Sequence, residues 1–232
     1  MKNILRWRSY SVTFAVLSIC FFYILHAYSI PQSELLKLPE GQLSLESKTG
    51  MKYLQESINN DYQVITPYFE TQSHVTYCGV ATSVAVINAL TGKKVISQET
   101  YFIPEVKSSL FVKLSGMSLN QLNTHFLIHG MKTTIFNGNK ISLKKFRQLA
   151  INNVKNPNNF FVINYFRKTL HQVGGGHISP VVAYHQQSDS MLVLDTASYK
   201  YPPTWIKTES LWKAVATTGS DGDFRGIVEV SN

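Results

Sequence analysis

The stretch "YFETQSHVTYCGVATSVAVINALTG", residues 68–92, places Cys78 directly before a long apolar run. Val80 and Val84 recur at helical spacing in that run, and Gly92 is a suitable stop, so the pattern predicts a helix that begins near Cys78. Unsatisfied N–H groups and a partial positive charge at a helix N-terminus favour the thiolate, which is the reactive form of cysteine. Two interpretations of Cys78 are open at this point: a catalytic nucleophile, or a small side chain buried in the core.

The composition indicates a globular protein with one sizeable core. Of the 232 residues, 44% are hydrophobic and 16% are charged, values that argue against disorder. The formal net charge is +8, but lysine and arginine are scattered along the chain rather than clustered. The surplus suits an anionic ligand or surface, and without a basic run we expect no nucleic-acid partner.

Two cysteines, Cys20 and Cys78, limit the redox and metal chemistry. Cys20 falls within the apolar N-terminal stretch, so the folded part is left with one thiol. Neither an intramolecular disulfide nor a cysteine-based zinc site is then available to that part.

Residues 1–29 form a predicted targeting segment. After the basic start "MKNILRWR", no Asp, Glu, Lys or Arg follows until Glu34. Two interpretations remain open: a signal peptide cleaved before Ile30, for which Ala27 and Ser29 are suitable small residues, or an uncleaved membrane anchor of about twenty residues. Both predict export from the cytoplasm, so the domain is expected to be periplasmic, secreted or anchored to the membrane.

Residues 30–49 are expected to be a polar linker ahead of one folded domain over residues 50–232. Periodicity predicts helices over residues 78–92, 118–129, 142–153 and 208–216, the last three with Ser or Thr as N-cap. It predicts strands over residues 159–166, 177–185, 190–197 and 225–231. Helices that lead and an antiparallel sheet that follows indicate the α+β fold class.

Thiol catalysis by Cys78 also requires a base and a group that orients the base. His177 follows a flexible "GGG" and starts an apolar strand, and the next strand, "MLVLD", ends in Asp195. If these two strands pair as a hairpin, the imidazole and the carboxylate come within reach of each other. The order Cys, His, acid is also that of papain-type enzymes, so catalysis becomes the favoured interpretation of Cys78.

Gln72, six residues before the cysteine, offers an amide for an oxyanion that forms beside the thiol, and Gly79 lets backbone or substrate approach closely. The other histidines have ordinary interpretations. His125 and His129 have the spacing of a metal pair on one helix but lack a third ligand, so surface or core positions are expected. His185, a rival base, falls at the far end of its strand and is expected to face solvent.

Three segments resemble the catalytic domain of phytochelatin synthases: "YFETQSHVTYCGVATSVAVINAL", "GGGHISPVVAYHQQSDSMLVLDTA" and "YKYPPTWIKTESLWKAV". The resemblance covers roughly residues 50–230, and "KYPPTW" is distinctive. Because that family is papain-like, the resemblance implies a papain-like fold: an N-terminal helical part with the nucleophile helix, and a C-terminal antiparallel sheet that carries His and Asp. It implies that Cys78 is the nucleophile and His177 the general base and acid. It further implies that Asp195 orients the imidazole and that Gln72 donates to the oxyanion.

The resemblance also implies the reaction. Members of the family cleave glycine from glutathione through a γ-glutamylcysteinyl thioester and pass the acyl group to water or to a second glutathione, which gives phytochelatins. Glutathione is therefore the expected partner, and a homodimer is a further expectation. No dedicated cofactor or metal site is expected, because cadmium or zinc acts as a glutathione thiolate complex. The expected substrate contacts are Gly79, Gly176, Arg167, Lys168, Arg225 and Asp221.

Some positions depart from the family pattern. Ser198 stands where the family has an arginine three residues after the acid, a loss expected to weaken binding of the second glutathione. Thr218 stands where the family has an aspartate seven residues before Arg225, and Asp221 or Asp223 is expected to substitute for it. Hydrolysis is therefore favoured over transfer, as in the short bacterial members, which lack the Cys-rich C-terminal extension of plant members.

Two alternative functions stay open. A papain-like peptidase of the bacteriocin-leader type shares the Gln-(five residues)-Cys-Gly motif, although "KYPPTW" argues against it. The second alternative is a membrane-anchored binding module that kept the fold and lost turnover, and the presence of all four site residues argues against that. The products formed from glutathione distinguish both alternatives from a glutathione-cleaving enzyme.

Overall fold

The computed structural model of the protein describes residues 35–103, 109–219 and 222–232. The predicted targeting segment lies outside the described residues, as do Cys20 and Asp221. Among these described residues, no helical segment combines the length and the hydropathy of a transmembrane span.

The described residues form seven strands and seven α-helices. The strands are β1 (Leu43–Ser44), β2 (Lys132–Asn137), β3 (Asn159–Phe166), β4 (Gly176–His185), β5 (Ser190–Val193), β6 (Thr204–Lys207) and β7 (Gly226–Ser231). The helices are α1 (Lys48–Glu56), α2 (Asn60–Ile65), α3 (Cys78–Thr91), α4 (Ser109–Ser115), α5 (Leu119–Ile128), α6 (Leu143–Val154) and α7 (Thr208–Val215). Short 3-10 turns occur at Thr66–Tyr68, Gly138–Lys140 and Arg167–Leu170.

The strands form one antiparallel sheet in the order β1-β6-β5-β4-β3-β7-β2. The predicted hairpin is present as β4 and β5, and β3 lies between β4 and β7. Tyr165 of β3 lies opposite His177 of β4, and Asn164 lies opposite both Ile178 and Gly226. The end of β3 and the beginnings of β4 and β7 therefore meet at one end of the sheet.

Helix α3 is buried on all sides, which explains why its sequence is apolar around its whole circumference. Its Val86 and Ile87 belong to the cluster that also contains Phe160 of β3. Its Val80 belongs to a second cluster with Tyr101, from the chain that covers the opposite side of the helix. The helix that presents Cys78 is therefore fixed in the core rather than lying on the surface.

Helices α6 and α7 cover the other face of the sheet. Phe146 of α6 and Leu211 of α7 share a cluster with Phe161 and Ile163 of β3. Alternate residues of β3 therefore pack into two cores, which explains the nearly continuous apolar run "NFFVINYF". Helices on both faces of an antiparallel sheet give an α+β architecture, in agreement with the predicted fold class.

The four predicted helices correspond to α3, α5, α6 and α7, and the four predicted strands to β3, β4, β5 and β7. The predicted order of helices first and sheet afterwards is wrong in detail, because β1 precedes every helix, β2 lies between α5 and α6, and α7 lies between β6 and β7. The N-cap predicted at Thr208 is also wrong. Lys207 holds the cap position, while the Thr208 hydroxyl donates to the Asp189 carbonyl at 2.9 Å.

The linker predicted over residues 30–49 is too long. Leu43 pairs with Trp205 in the sheet, Leu45 is buried in the core, and α1 already begins at Lys48. Ser47 caps this helix, since its hydroxyl accepts from the Gly50 N–H at 3.0 Å. The folded domain therefore begins ahead of residue 50.

The strand predicted over residues 190–197 is shorter than expected. It ends at Val193, where pairing with β4 becomes irregular, and Leu194 makes one further hydrogen bond to the Pro180 carbonyl, at 3.1 Å. Asp195 consequently lies just beyond the strand, at the same end of the sheet as His177.

Asp61, in α2, carries a carboxyl group that is completely buried. Neither of its oxygens has a hydrogen-bond partner in the described structure. Burial disfavours the charged form and raises the pKa of Asp61 to about 9. The folded protein therefore holds a proton on Asp61 that the unfolded chain releases near pH 4, so the stability associated with this group falls as pH rises from about 4 to about 9.

We expect Asp61→Asn to remove this part of the pH dependence of stability. The wild type takes up one proton on folding between about pH 4 and 9, so its free energy of unfolding should fall by about 1.4 kcal/mol per pH unit, a slope that the variant should lack. Thermal unfolding between pH 5 and 9 measures the effect. Glu46→Gln, at an exposed position, is the matched control and should keep the wild-type slope. Equal slopes for Asp61→Asn and the wild type would contradict the prediction.

Candidate active site

Cys78 is the first residue of α3, and only 8% of it is exposed. One turn further along, the Thr82 hydroxyl donates to the Ile178 carbonyl of β4 at 3.2 Å. This bond fixes the start of α3 against the start of β4. The thiol is therefore held beside His177, the neighbour of Ile178 on that strand.

His177 connects Cys78 to Asp195. Its Nε2 lies 2.8 Å from Asp195 Oδ1, and its side chain is also hydrogen-bonded to the Cys78 thiol. With Nε2 turned to the carboxylate, Nδ1 is the ring nitrogen left for the sulfur. Tyr165 packs edge-on against the imidazole with ring centroids 5.6 Å apart, which restricts its rotation.

Asp195 accepts hydrogen bonds from three directions. Besides His177, the Arg167 guanidinium donates through Nη2 at 2.7 Å, and the Ala197 backbone N–H donates at 2.9 Å. Only 4% of the carboxylate side chain is exposed. These donors compensate the loss of water around a buried charge and fix the orientation of the carboxylate.

The electrostatics favour an ion pair between Cys78 and His177. Burial alone would raise the pKa of the Cys78 thiol, but the charge and hydrogen bond of His177 lower it below its usual value. Burial and Arg167 would lower the pKa of the His177 imidazole, yet the Asp195 and Cys78 charges raise it above its usual value. Burial opposes ionisation of Asp195, but His177 and Arg167 hold the pKa of its carboxyl well below its usual range. Both shifts favour a thiolate beside an imidazolium.

Gln72 is connected to His177 through one intervening side chain, that of Thr196. Its side-chain Oε1 accepts from the Thr196 hydroxyl at 3.3 Å, and the same hydroxyl is 3.5 Å from His177 Nε2. The Gln72 Nε2 donates to the His74 carbonyl at 2.7 Å and makes a longer contact, 3.5 Å, with the Tyr199 hydroxyl. Because an amide nitrogen has two N–H donors, the weakly bound one is available to a ligand.

A cleft of about 300 Å³ opens beside Cys78 and His177. Its polar side is formed by Asn164, Asp223 and Arg225, and Phe111 and Phe224 stand among its lining residues. Arg225 Nη1 donates to Asn164 Oδ1 at 2.9 Å, which holds the cation at the end of β3. The volume is at the lower end of the range for small-molecule sites.

Two glycines ahead of His177 make room for two arginines. A Cβ atom on Gly176 would lie 2.6 Å from Arg225 Nη1. A Cβ on Gly174, whose φ is +123°, would lie 3.0 Å from Arg167 Cδ. The absence of side chains in the "GGG" run therefore lets both arginines lie close to the backbone just before His177. Conformational freedom is a second reason for glycine there.

The predicted substrate contacts are only partly found in the cleft. Gly176 and Arg225 line it. Gly79 instead allows tight packing inside the protein, since a Cβ there would lie 3.0 Å from Met117 Sδ. Arg167 and Lys168 are absent from the cleft lining, contrary to expectation.

Arg167 and Lys168 are absent from the cleft lining for different reasons, and the two predicted acids also differ in their positions. Arg167 is 3% exposed because it pairs with Asp195 behind the site, whereas Lys168 is exposed on the following 3-10 turn. Of the two acids expected to replace the family aspartate, Asp223 lines the cleft and Asp221 lies outside the described residues.

The other histidines belong to packing. His185, expected to face solvent, is 3% exposed because Tyr53 of α1 stacks on it at a centroid distance of 4.0 Å. His125 and His129 both pack against the Tyr101 ring, at 5.6 and 4.8 Å. Within the described ranges no group of three His, Cys, Asp or Glu side chains is placed to hold a metal ion.

The structure adds residues that the sequence analysis missed. Asn164 holds Arg225, and its signal was a polar residue inside the apolar run of β3. Thr196 links Gln72 to His177, and Tyr165 packs on the imidazole. Neither of these last two differs in sequence from an ordinary strand or turn residue, so no sequence signal could have found them.

The sequence model of phytochelatin synthase matches residues 33–227 of the chain. The chain belongs to the phytochelatin synthase family. The match starts well ahead of residue 50 and agrees with the early start of the folded domain.

Curated relatives carry names of the same kind. The chain is 29% identical to glutathione gamma-glutamylcysteinyltransferase 3 of Lotus japonicus, over 83% of this chain and 41% of the relative. It is 30% identical to glutathione gamma-glutamylcysteinyltransferase 1 of Arabidopsis thaliana, over 77% of this chain and 38% of the relative. A Schizosaccharomyces pombe member is 25% identical, over 83% of this chain and 49% of that relative. The chain thus spans less than half the length of these curated relatives.

Proposed function

We propose that this protein is a papain-like thiol enzyme that cleaves glycine from glutathione through a γ-glutamylcysteinyl thioester on Cys78. The observation that carries the proposal is the hydrogen-bonded series from Cys78 through His177 to Asp195, which opens into a cleft with a cation, Arg225. The names of the relatives support glutathione as the substrate.

Acylation follows from the ion pair. The Cys78 thiolate attacks the carbonyl carbon of the Cys–Gly bond in glutathione, and a C–S bond forms as the carbonyl oxygen takes the negative charge. The His177 imidazolium then donates its proton to the leaving glycine nitrogen as the C–N bond breaks. Asp195 keeps the ring oriented through this step, since its oxygen lies 2.8 Å from Nε2.

The oxyanion would be bound beside the start of α3. We assign one donor to the Cys78 backbone N–H, at the positive end of the helix, and a second to the weakly bound N–H of Gln72. Each donor in such a site typically contributes about 3–4 kcal/mol to the transition state.

Deacylation reverses the proton transfer. Neutral His177 takes a proton from water, whose oxygen attacks the thioester carbonyl, and γ-glutamylcysteine leaves as the Cys78 thiolate is regenerated. If the α-amine of a second glutathione attacks the thioester carbonyl in place of water, a C–N bond forms as the C–S bond breaks. His177 then takes the amine proton, and the acyl group is transferred instead. One molecule of glycine is released in either route.

Recognition is assigned to the polar side of the cleft. Glutathione carries net negative charge, and Arg225 supplies a cation held in place by Asn164. Asp223 on the same lining suits the ammonium group of the γ-glutamyl end. The acceptor side offers less: Ser198, where the family has arginine, is hydrogen-bonded to Thr71. We therefore propose that hydrolysis exceeds transfer.

The test is to incubate the full chain with glutathione, with and without cadmium, and to separate the thiol products. We expect γ-glutamylcysteine and glycine in equal amounts as the main products, because no cation at position 198 holds an acceptor. Cys78→Ser serves as the control that should form neither. Longer (γ-Glu-Cys)n-Gly peptides as the main products would contradict the hydrolytic preference but support the thioester. No glycine release from the wild type would contradict the proposal as a whole and favour the peptidase or the binding module.

Cadmium and zinc enter this proposal as part of the substrate, in the form of glutathione thiolate complexes, rather than as a resident cofactor. Export through residues 1–29 remains a prediction, as does a homodimer. Fractionation of cells that express the full chain tests the first, and the mass of the purified protein in solution tests the second.

A further inference from the structure

Arg167 is a buried cation that the proposed mechanism does not use. It begins the 3-10 turn after β3, and its side chain is 3% exposed. A charged side chain is rarely buried to this extent unless its partners compensate the loss of water. Its partners therefore indicate what it does.

The guanidinium is fixed on every side. Nη2 lies 2.7 Å from both oxygens of Asp195, and Nη1 donates to Gln172 Oε1 at 2.9 Å. The rings of Tyr165 and Tyr201 lie on it, with centroids 5.9 and 5.3 Å from Cζ. Gln172 in turn donates to Gln42 Oε1 at 2.8 Å, which ties the cluster to the segment before β1. Such a cation cannot swing out to a substrate.

We propose that Arg167 is a positioning residue that shares the Asp195 carboxylate with His177 and thereby sets the pH range in which the thiolate–imidazolium pair exists. The inference rests on the proposed function for its consequence in turnover. The pair itself is a property of the free protein, so it can be measured without substrate.

The argument is one of charge balance in the core. The buried cluster holds two negative charges, on the Cys78 thiolate and Asp195. It also holds two positive charges, on the His177 imidazolium and Arg167, so it is neutral as a whole. Removing Arg167 would leave a net negative charge close to both members of the pair. A negative charge makes a thiol harder to ionise and an imidazolium harder to deprotonate.

The pKa directions agree with this balance. Burial raises the pKa of Cys78, and Arg167 is among the groups that oppose this rise. Burial also lowers the pKa of His177, and the Arg167 charge lowers it further. Arg167 thus limits how strongly Asp195 stabilises the imidazolium. His177 can therefore lose its proton and act as a base in deacylation.

Other titratable groups face the cluster. Three are phenols: Tyr165 and Tyr201 on the guanidinium, and Tyr199 near Cys78, where burial raises the pKa of Tyr199. Lys200 is a further cation near the cluster, and burial and the nearby Arg167 lower its pKa. Lys200 is therefore a cation that stays near the pair in the wild type and in both Arg167 variants.

The test is the pH profile of Cys78 alkylation by iodoacetamide, in a Cys20→Ser background so that one thiol reacts. We expect Arg167→Met to move both limbs of the profile to higher pH by about one unit, which is the usual effect of one nearby charge. In glutathione turnover the same variant should lower kcat more than it changes KM, because Arg167 does not line the cleft.

Two further variants separate charge from packing. Arg167→Lys keeps the positive charge but loses the forked geometry, so we expect a profile at the wild-type pH with reduced reactivity. Arg147→Met is the matched control, because Arg147 also binds an aspartate with two donors, at 2.8 and 2.7 Å to Asp189. It should leave the profile unchanged.

A profile that keeps its position in Arg167→Met and loses only reactivity would overturn the inference and make Arg167 a packing residue. Failure of both Arg167 variants to fold would overturn it as well. An alkylation profile that shifts as expected, in a protein that releases no glycine from glutathione, would support the inference and contradict the proposed substrate.

Discussion

Cys78→Ser is expected to lower glycine release from glutathione by about 10⁴-fold or more, the size of loss seen when the nucleophile of a catalytic triad is removed. A serine hydroxyl remains protonated where the thiol ionises, so the pair with His177 cannot form. Acid-quenched wild type should also carry one γ-glutamylcysteinyl group, seen by mass spectrometry. The variant should carry none.

The matched control is Cys20→Ser, since the chain has two cysteines. We expect it to keep wild-type turnover and to acquire the same acyl group. A serine at position 78 with more than a tenth of wild-type turnover would rule out the thioester route. An acyl group lost in Cys20→Ser would contradict the assignment in the same way.

His177→Asn is expected to lower turnover by about 10²–10⁴-fold, the usual contribution of a general acid and base. Asparagine keeps a polar side chain next to Asp195 but cannot carry the proton to the glycine nitrogen. Without the imidazolium, the pKa of Cys78 should rise, because burial then acts with less opposition. Alkylation of Cys78 by iodoacetamide near neutral pH should therefore slow together with turnover.

His185→Asn is the matched control, because His185 lies at the other end of β4 and is about as buried as His177, at 3% and 5% exposure. It should destabilise the protein by loss of stacking on Tyr53 while turnover per folded molecule stays at the wild-type value. Turnover that falls in both variants by the same factor would show that the effect of His177→Asn comes from stability, contrary to our assignment.

The sequence predicted the elements that carry strong local signals. Helices α5 and α6 begin at Ser118 and Ser142, whose hydroxyls accept backbone N–H groups as N-caps. Strands β3 and β4 are long and apolar because both of their faces are covered. β1, with two residues, and β2, with an exposed and polar face, lack such signals. Their pairing depends on distant partners, which a local pattern does not contain.

The same limit applies to the site. His177 and Asp195 could be placed together because one hairpin joins them. The bond between Arg167 and Asp195 spans 28 residues and depends on where the 3-10 turn after β3 directs the side chain. The sequence therefore predicts Arg167, a basic residue near the site, as a substrate contact, and the structure places it behind the site instead. The prediction that His185 faces solvent is wrong for a similar reason. Helix α1, which covers this histidine, lies far from it in the sequence, so no local pattern shows the contact.

Strand β1 has a practical consequence for producing the protein. It pairs with Thr204 and Trp205 and lies along the outer side of β6. Expression from residue 50, the boundary that the sequence predicted, would remove it and leave the hydrogen-bonding groups of β6 uncovered. An uncovered strand edge recruits other chains and leads to aggregation. Gln42, which steadies the arginine behind the active site, would be removed by the same cut. Poor solubility and weak activity of such a fragment would then have one common origin in the missing 15 residues that the structure describes from 35 to 49.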